Sequence, residues 1–358
     1  MTGDRTAGPS PGSRTIESAG PESIRAAVVG AGSWGTALAL LLDRNGHEVR
    51  LWSHNPHVVD EIDEHGENRS YLPGIQVPSS VSVVTDMASA LEGAQVVVSV
   101  TPSQYVGEVM ARAAAHLEPD ALVVSASKGI EVSTLRRMDQ VLADLLPTSC
   151  HDRLSVLSGP SFAIEVAEQR PTAVVAASRS REARLRTQEI FSSRNFRVYT
   201  NPDVIGVELG GAVKNVIALA AGVAAGLELG RNTQAALITR GLAEMTRLGS
   251  ALGAKPSTFS GLAGMGDLVL TCTGEISRNR TVGSRLGRGE ALDDILADMR
   301  AVAEGVRTAP AVLALARKEG VEMPIASQVC RMLDGEVKPR SAVEELMTRD
   351  PKPETWSS

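Results

Sequence analysis

Cysteine, lysine, excess positive charge and long apolar runs are all scarce in this chain, and each shortage narrows what it can do. Its three cysteines, Cys150, Cys272 and Cys330, stand far apart and outside any C-x-x-C spacing. That pattern points to neither a disulfide framework nor a thiolate metal site, and it fits a reducing compartment, so a cytoplasmic location is expected. Of six histidines only His54 and His57 lie close together, with no further ligand candidate beside them, so no metal is expected. A formal net charge of −6 and a pI near 5.6 give no long-range attraction to a nucleic-acid backbone, and any phosphate must be gripped locally. The best apolar run, 216–227, follows Lys214 and is interrupted by Gly222 and Gly226. It is too short to cross a membrane, and no signal-like apolar segment opens the chain.

What is present suits a two-domain globular protein, since 358 residues exceed the usual size of one hydrophobic core. Residues 1–23 are rich in Gly, Pro, Ser and Thr and are expected to be a disordered extension. Residues 346–358, with Pro351 and Pro353, are expected to form a second loose tail. Between them, 24–200 alternates short β-branched runs (26–29, 49–52, 96–100, 122–126, 155–157, 173–177 and 196–199) with amphipathic segments. This is the pattern of a parallel sheet covered by crossover helices. After Asn201-Pro202 the strand signal stops, and helical patterns such as 204–221 and 235–252 fill 201–345. The predicted fold class is α/β: a Rossmann-type dinucleotide-binding domain followed by an all-α substrate domain.

Val28-Val29 runs into Gly30-Ala31-Gly32-Ser33-Trp34-Gly35, then a helix from Thr36 to Arg44 and the next strand. In that context Gly30 makes the turn, Gly32 admits a pyrophosphate, and Gly35 lets helix pack on strand. Without a ligand the same glycines would serve a plain βα turn. The second strand exits through Trp52-Ser53-His54-Asn55 and lacks the carboxylate that grips the ribose of NAD, so NAD or NADP is the expected cofactor. His54 is a candidate contact, with a solvated loop histidine as the alternative.

Carbonyl reduction needs a proton donor, a role open to lysine and closed to arginine. Only six lysines stand against thirty arginines. Lys255, Lys318, Lys338 and Lys352 read as surface residues. Lys128 follows a strand at the carboxyl edge of the sheet, where ligands of such folds bind. Lys214 lies in an apolar stretch of small residues, where an ammonium must be paired or have its pKa lowered unless its tip snorkels to water. Downstream, Gly261-Leu262-Ala263-Gly264-Met265-Gly266-Asp267 allows close backbone approach to a small ligand, and Asp267 can orient an ammonium or cap a helix. Arg278, in Ser277-Arg278-Asn279-Arg280, can grip a phosphate through two parallel hydrogen bonds. Gly159-Pro160-Ser161-Phe162-Ala163 ends a strand at the same sheet edge, as a site or as a simple turn and cap.

Together the glycine turn, Ser127-Lys128-Gly129, Ser158-Gly159-Pro160-Ser161, Glu208-Leu209-Gly210-Gly211-Ala212-Val213-Lys214-Asn215, and Gly261 to Thr273 with Ser277-Arg278-Asn279-Arg280 closely resemble the bacterial NAD(P)-dependent glycerol-3-phosphate dehydrogenases over about residues 24–345. The resemblance implies reversible reduction of dihydroxyacetone phosphate to sn-glycerol 3-phosphate, supplying the backbone of glycerophospholipids. It casts Lys214 as proton donor and acceptor, with Lys128 and Asp267 beside it. Gly159, Ser161, Ser277, Arg278 and Asn279 then resemble substrate contacts. Ser33, Trp34, His54, Lys128, Ala163, Arg278, Val302 and Glu304 resemble cofactor contacts. Members of the family are commonly homodimers. Two other readings share the architecture: a β-hydroxyacid or ketopantoate-type dehydrogenase, against which the 261–267 loop and Arg278 argue, and a catalytically silent dinucleotide-binding sensor.

Overall fold

A computed structural model describes residues 23–299, 302–351 and 353–354. Residues 1–22 of the predicted extension, Ala301, Lys352 and residues 355–358 of the predicted tail therefore lie outside the described residues. Ser23 belongs to the folded body, its hydroxyl donating to the Gly46 carbonyl at 2.8 Å. Arg349, expected in a loose tail, pairs with Glu322.

The first part of the chain interleaves eight strands with seven helices. In order they are β1 (Arg25–Val29), α1 (Ser33–Arg44), β2 (Glu48–Trp52), α2 (Pro56–His65), β3 (Val81–Val84), α3 (Met87–Leu91), β4 (Val96–Ser99) and α4 (Val106–Ala114). Then follow β5 (Leu122–Ser125), α5 (Met138–Leu145), β6 (Leu154–Ser158), α6 (Ala163–Ala167), β7 (Thr172–Ala177), α7 (Arg181–Phe191) and β8 (Phe196–Asn201). They form one sheet of order β3-β2-β1-β4-β5-β6-β7-β8. Alternate residues of β1 feed opposite faces: Ala26 and Val28 pack with α1 on one side, Ala27 and Val29 with α3 and α4 on the other.

Two features depart from the sequence expectation. β3 was not among the expected strands, although Val81 and Val83 are buried while Ser82 is exposed, the period-two signal of a strand with one covered face. The sheet is also not parallel throughout, because β7 runs antiparallel to β6. The cause is the connection: α6 has five residues, a rise of roughly 7 Å, too short to carry the chain back along a strand. α7, with eleven residues, does span that length, and β8 returns parallel to β7.

The second part is helical: α8 (Val204–Gly226), α9 (Gly230–Ala251), α10 (Pro256–Phe259), α11 (Asp267–Thr273), α12 (Arg278–Gly287), α13 (Leu292–Ala297), α14 (Glu304–Lys318), α15 (Pro324–Leu333) and α16 (Pro339–Met347). Asp203 starts α8 by accepting from the Gly206 amide at 3.0 Å, while its other oxygen takes the Lys255 amide and the Thr258 hydroxyl. One carboxylate thus caps the central helix and ties it to α10.

Contrary to the reading of 216–227 as a broken run, α8 continues through Gly222 and is long and apolar enough to cross a bilayer by length and composition. Yet 94% of its apolar window is buried inside the protein. The glycines admit a neighbour. A side chain at Gly222 would strike the Arg280 carbonyl, and one at Gly283 would strike the Leu219 carbonyl. Gly226 and Gly287 repeat the arrangement one turn on, so α8 and α12 pack backbone to backbone. That contact sets the start of α12, with Ser277, Arg278 and Asn279, beside the stretch of α8 that carries Lys214.

Candidate active site

The carboxyl ends of the parallel strands collect the predicted residues of the first domain. Gly30 to Gly35 follow β1, His54 follows β2, Lys128 follows β5, and Gly159, Ser161 and Ala163 follow β6. Gly30 has φ +128°, and a side chain there would meet the Val100 carbonyl at 2.9 Å; at Gly35 it would strike the Gly30 carbonyl. At Gly32 nothing lies within 4 Å of where a Cβ would stand. Two glycines therefore close the turn and the third leaves an open cradle at the start of α1, where helix amides favour an anion. That donor set fits a pyrophosphate.

His54 is exposed, 6.4 Å from the Trp52 ring by centroids. The Arg112 guanidinium lies 5.7 Å from the same ring, a cation near the end of β2 that spacing along the chain did not reveal. The described residues hold no group of three or more His, Cys, Asp or Glu side chains able to bind a metal.

Asp267 is the meeting point of the two singled-out lysines. Its Oδ1 accepts from Lys214 Nζ at 2.6 Å and its Oδ2 from Lys128 Nζ at 2.7 Å, and it is 1% exposed. The carboxylate is thus aimed at ammoniums and does not cap α11. Lys128 Nζ also donates to the Gly159 carbonyl at 2.9 Å, which takes the Ser161 hydroxyl at 3.0 Å. Gly159, at φ +139° with Val174 Cα 3.0 Å from the place of a Cβ, presents that carbonyl where another residue would not fit. The loop before Asp267 closes as a π-turn, with the Gly266 amide bonded to the Gly261 carbonyl at 3.1 Å. Such turns tend to occur at functional positions.

Lys214 is buried and does not snorkel. Burial pushes its ammonium down to about 8, with Asp267 opposing the fall and the charge of Lys128 adding to it. Its second partner, Thr271 Oγ1 at 2.8 Å, was missed by the sequence reading, though it lies one helical turn beyond Asp267 on α11. Two of the three ammonium protons are thus held, and one remains for a ligand.

Asn279 donates to Asn215 Oδ1 at 2.9 Å and accepts the Gly305 amide at 2.8 Å, joining α12, α8 and α14 next to Lys214. Ser277 caps α12, its Oγ accepting from the Arg280 amide at 3.3 Å. The exposed Arg278 side chain is directed elsewhere: its Nη1 donates to the Val302 carbonyl at 3.2 Å, with no bond to the lysine pair. Glu304 accepts from the Ser103 amide and hydroxyl at 3.2 and 2.6 Å, fastening the start of α14 to the loop after β4. Ser103 is a second residue the sequence reading did not single out.

A dinucleotide-type sheet whose carboxyl edge meets a buried ammonium–carboxylate cluster from a helical domain defines a class, the two-domain nicotinamide-dependent dehydrogenases. Within it, residues 25–184 match the family model of the NAD-dependent glycerol-3-phosphate dehydrogenase N-terminus and residues 203–344 that of the C-terminus. The chain belongs to the NAD-dependent glycerol-3-phosphate dehydrogenase family. It is 55% identical over 328 residues to the glycerol-3-phosphate dehydrogenase [NAD(P)+] of Citrifermentans bemidjiense, covering 92% of this chain and 98% of that protein. The enzyme of the same name from Geobacter sulfurreducens is 55% identical over 334 residues, covering 93% and 100%. The crystal structure of glycerol-3-phosphate dehydrogenase from Coxiella burnetii superposes with a TM-score of 0.87 at 42% identity, covering 91% of this chain and 99% of that one. The ketopantoate-type alternative draws no support from these matches.

Proposed function

We propose that this chain catalyses the reversible, NAD(P)H-dependent reduction of dihydroxyacetone phosphate to sn-glycerol 3-phosphate. The observation that carries the reading is the Asp267 carboxylate shared by Lys214 and Lys128, which leaves a surplus positive charge at the sheet edge. A nicotinamide cofactor held at the Gly30–Gly35 turn would supply or accept the hydride. Lys214 donates its free proton to the carbonyl oxygen as the hydride arrives, and in oxidation the neutral amine takes the hydroxyl proton. Lys128, held by Asp267 and Gly159, offers a fixed positive charge to the developing alkoxide. Arg278, Ser277 and Asn279 at the start of α12, with Gly159 and Ser161, hold the phosphorylated substrate. Gly30, Gly32, Ser33, Trp34 and Gly35 take the pyrophosphate, while His54, Lys128, Ala163, Arg278, Val302 and Glu304 complete the cofactor contacts. The resemblance of its motifs to the bacterial family extends this reading to an enzyme that works in the cytoplasm as a homodimer and feeds glycerophospholipid synthesis.

The test is a spectrophotometric assay of NADH and NADPH oxidation with dihydroxyacetone phosphate, dihydroxyacetone and ketopantoate. Efficient turnover is expected for the phosphorylated ketone alone, since the other two lack the phosphate that the proposed grip of Arg278 and its neighbours requires. Comparable kcat/KM on dihydroxyacetone would remove the phosphate grip, and preference for ketopantoate would reassign the substrate.

A further inference from the structure

The loop between α2 and β3 carries a fully buried polar side chain that touches the glycine turn. Asn68 is 0% exposed. Its Nδ2 donates to the Ala31 carbonyl at 2.9 Å and to Thr36 Oγ1 at 2.8 Å, and its Oδ1 accepts from the Tyr71 amide at 3.1 Å. Since one end must meet a carbonyl and the other an N–H, the network allows only one orientation of the amide. The loop itself is tied down: the Val77 amide bonds the Gly66 carbonyl at 2.7 Å, Ser70 bonds Glu61 through both amide and hydroxyl, and Leu72 is buried.

Ala31 stands between Gly30 and Gly32, where backbone freedom is greatest and a peptide plane turns easily. In a planar trans peptide the C=O and the N–H point in opposite directions. Drawing the Ala31 carbonyl toward Asn68 therefore turns the Gly32 N–H away from it. Among the described residues, the amides of Gly32, Ser33 and Trp34 have no protein partner. We propose that Asn68 is a positioning residue for the cofactor: it locks the Ala31–Gly32 peptide so that the Gly32 amide joins those of Ser33 and Trp34 in facing the pyrophosphate. Thr36 Oγ1, as second acceptor, fixes the angle of the Asn68 amide. This rests on the reading that the dinucleotide binds at the Gly30–Gly35 turn.

The experiment uses the full chain and four ligands: NADH and dihydroxyacetone phosphate for turnover, ADP-ribose and adenosine as competitive inhibitors. Asn68→Asp keeps the shape but, assayed at a pH where the carboxyl is ionised, cannot donate to the Ala31 carbonyl. It should raise the KM for NADH and the inhibition constant of ADP-ribose by about tenfold or more, the scale of a lost buried hydrogen bond with its acceptor stranded. The adenosine constant and kcat at saturating NADH should stay within about twofold, because neither depends on that amide. Thr36→Val, nearly isosteric, should move the ADP-ribose constant the same way by about two- to threefold; it decides the matter if Asn68→Asp does not fold. Equal weakening of adenosine and ADP-ribose would show general loosening and overturn the inference, as would an unchanged ADP-ribose constant. Gly30→Ala is the control: if it weakens ADP-ribose while Asn68→Asp and Thr36→Val do not, the inference falls and the turn remains the dinucleotide site. If none of the three weakens ADP-ribose, both fall.

Discussion

Two buried ionic clusters hang from α8, one at Glu208 and one at Lys214, and they are built with opposite surpluses. At Glu208 two carboxyl groups face one guanidinium. Arg137 holds Asp139 at 2.9 and 3.1 Å, and Glu208 accepts the Asp139 amide at 3.1 Å, stabilising the start of α5. Burial, and then the charge of Asp139, push the Glu208 carboxyl well above its ordinary range, which favours its neutral form and moves the cluster toward internal balance. At Lys214 two ammoniums share one carboxylate, and among the described residues each keeps a proton without a partner. A cluster that only holds the fold settles its charge internally. On the proposed function, the Lys214 cluster keeps charge and donors in reserve for an oxygen that becomes negative during the reaction.

The sharpest way to break this contrast is to keep the charge at position 214 and remove its proton transfer. Arginine retains charge and hydrogen bonds yet cannot release a proton near neutral pH. Lys214→Arg is expected to lose about two to four orders of magnitude in kcat while keeping nucleotide affinity and a folded state. Turnover within a few-fold of the parent would move the proton to Lys128.

Next in size is Asp267→Asn, which takes the carboxylate from the buried Lys214 ammonium and the half-buried Lys128 one. Removing one partner of a buried ion pair costs about 3–5 kcal/mol, to be read as a lowered urea midpoint. The Lys214 pKa should also drop further below 8, because Asp267 is the group that raises it. An unchanged midpoint would mean that the cluster contributes nothing to holding the domains together.

How much of this could be read in the sequence follows from how local each cause is. The glycine turn, both lysines and Asp267 sit in short motifs whose chemistry is carried by a few neighbours, and the geometry brings Lys128, Lys214 and Asp267 together as that chemistry requires. Features that depend on distant partners stayed hidden. Gly222 and Gly226 look like helix breakers until Gly283 and Gly287 are seen to face them. Asn68 looks like a loop residue until its amide is found on Ala31. The reversal at β7 rests on the length of α6, which a pattern of apolar residues does not measure, and β3 was passed over because only four residues carry its alternation.

The two clusters also differ in how they respond to pH. With Lys214 titrating at about 8, kcat/KM for ketone reduction should be flat below that value and fall about tenfold per pH unit above it, because the donor is the protonated form. Oxidation of the alcohol should show the mirror image, rising toward the same value. A reduction profile flat to pH 10 would exclude Lys214 as the acid.

The smallest effect is expected at Glu208, and it separates the clusters because the substitution resembles the one at Asp267. Glu208→Gln replaces a carboxyl whose burial favours the neutral form with a neutral amide whose oxygen can still take the amide at the start of α5. Stability at pH 7 should change by less than about 1 kcal/mol, and kcat should not change, since Glu208 does not bond the lysine cluster. The pH dependence gives the sign. A carboxyl whose folded pKa lies above its unfolded value of 4.5 binds more protons when folded, so its stabilising contribution is full below 4.5 and declines as pH rises toward the folded value. Measured against Glu208→Gln, the parent should therefore lose relative stability as pH rises from 4.5 through the raised folded value, a trend that thermal melts at several pH values would resolve. If the variant instead loses several kcal/mol at pH 7, Glu208 is ionised there, and the balance that distinguishes its cluster from that of Lys214 does not exist.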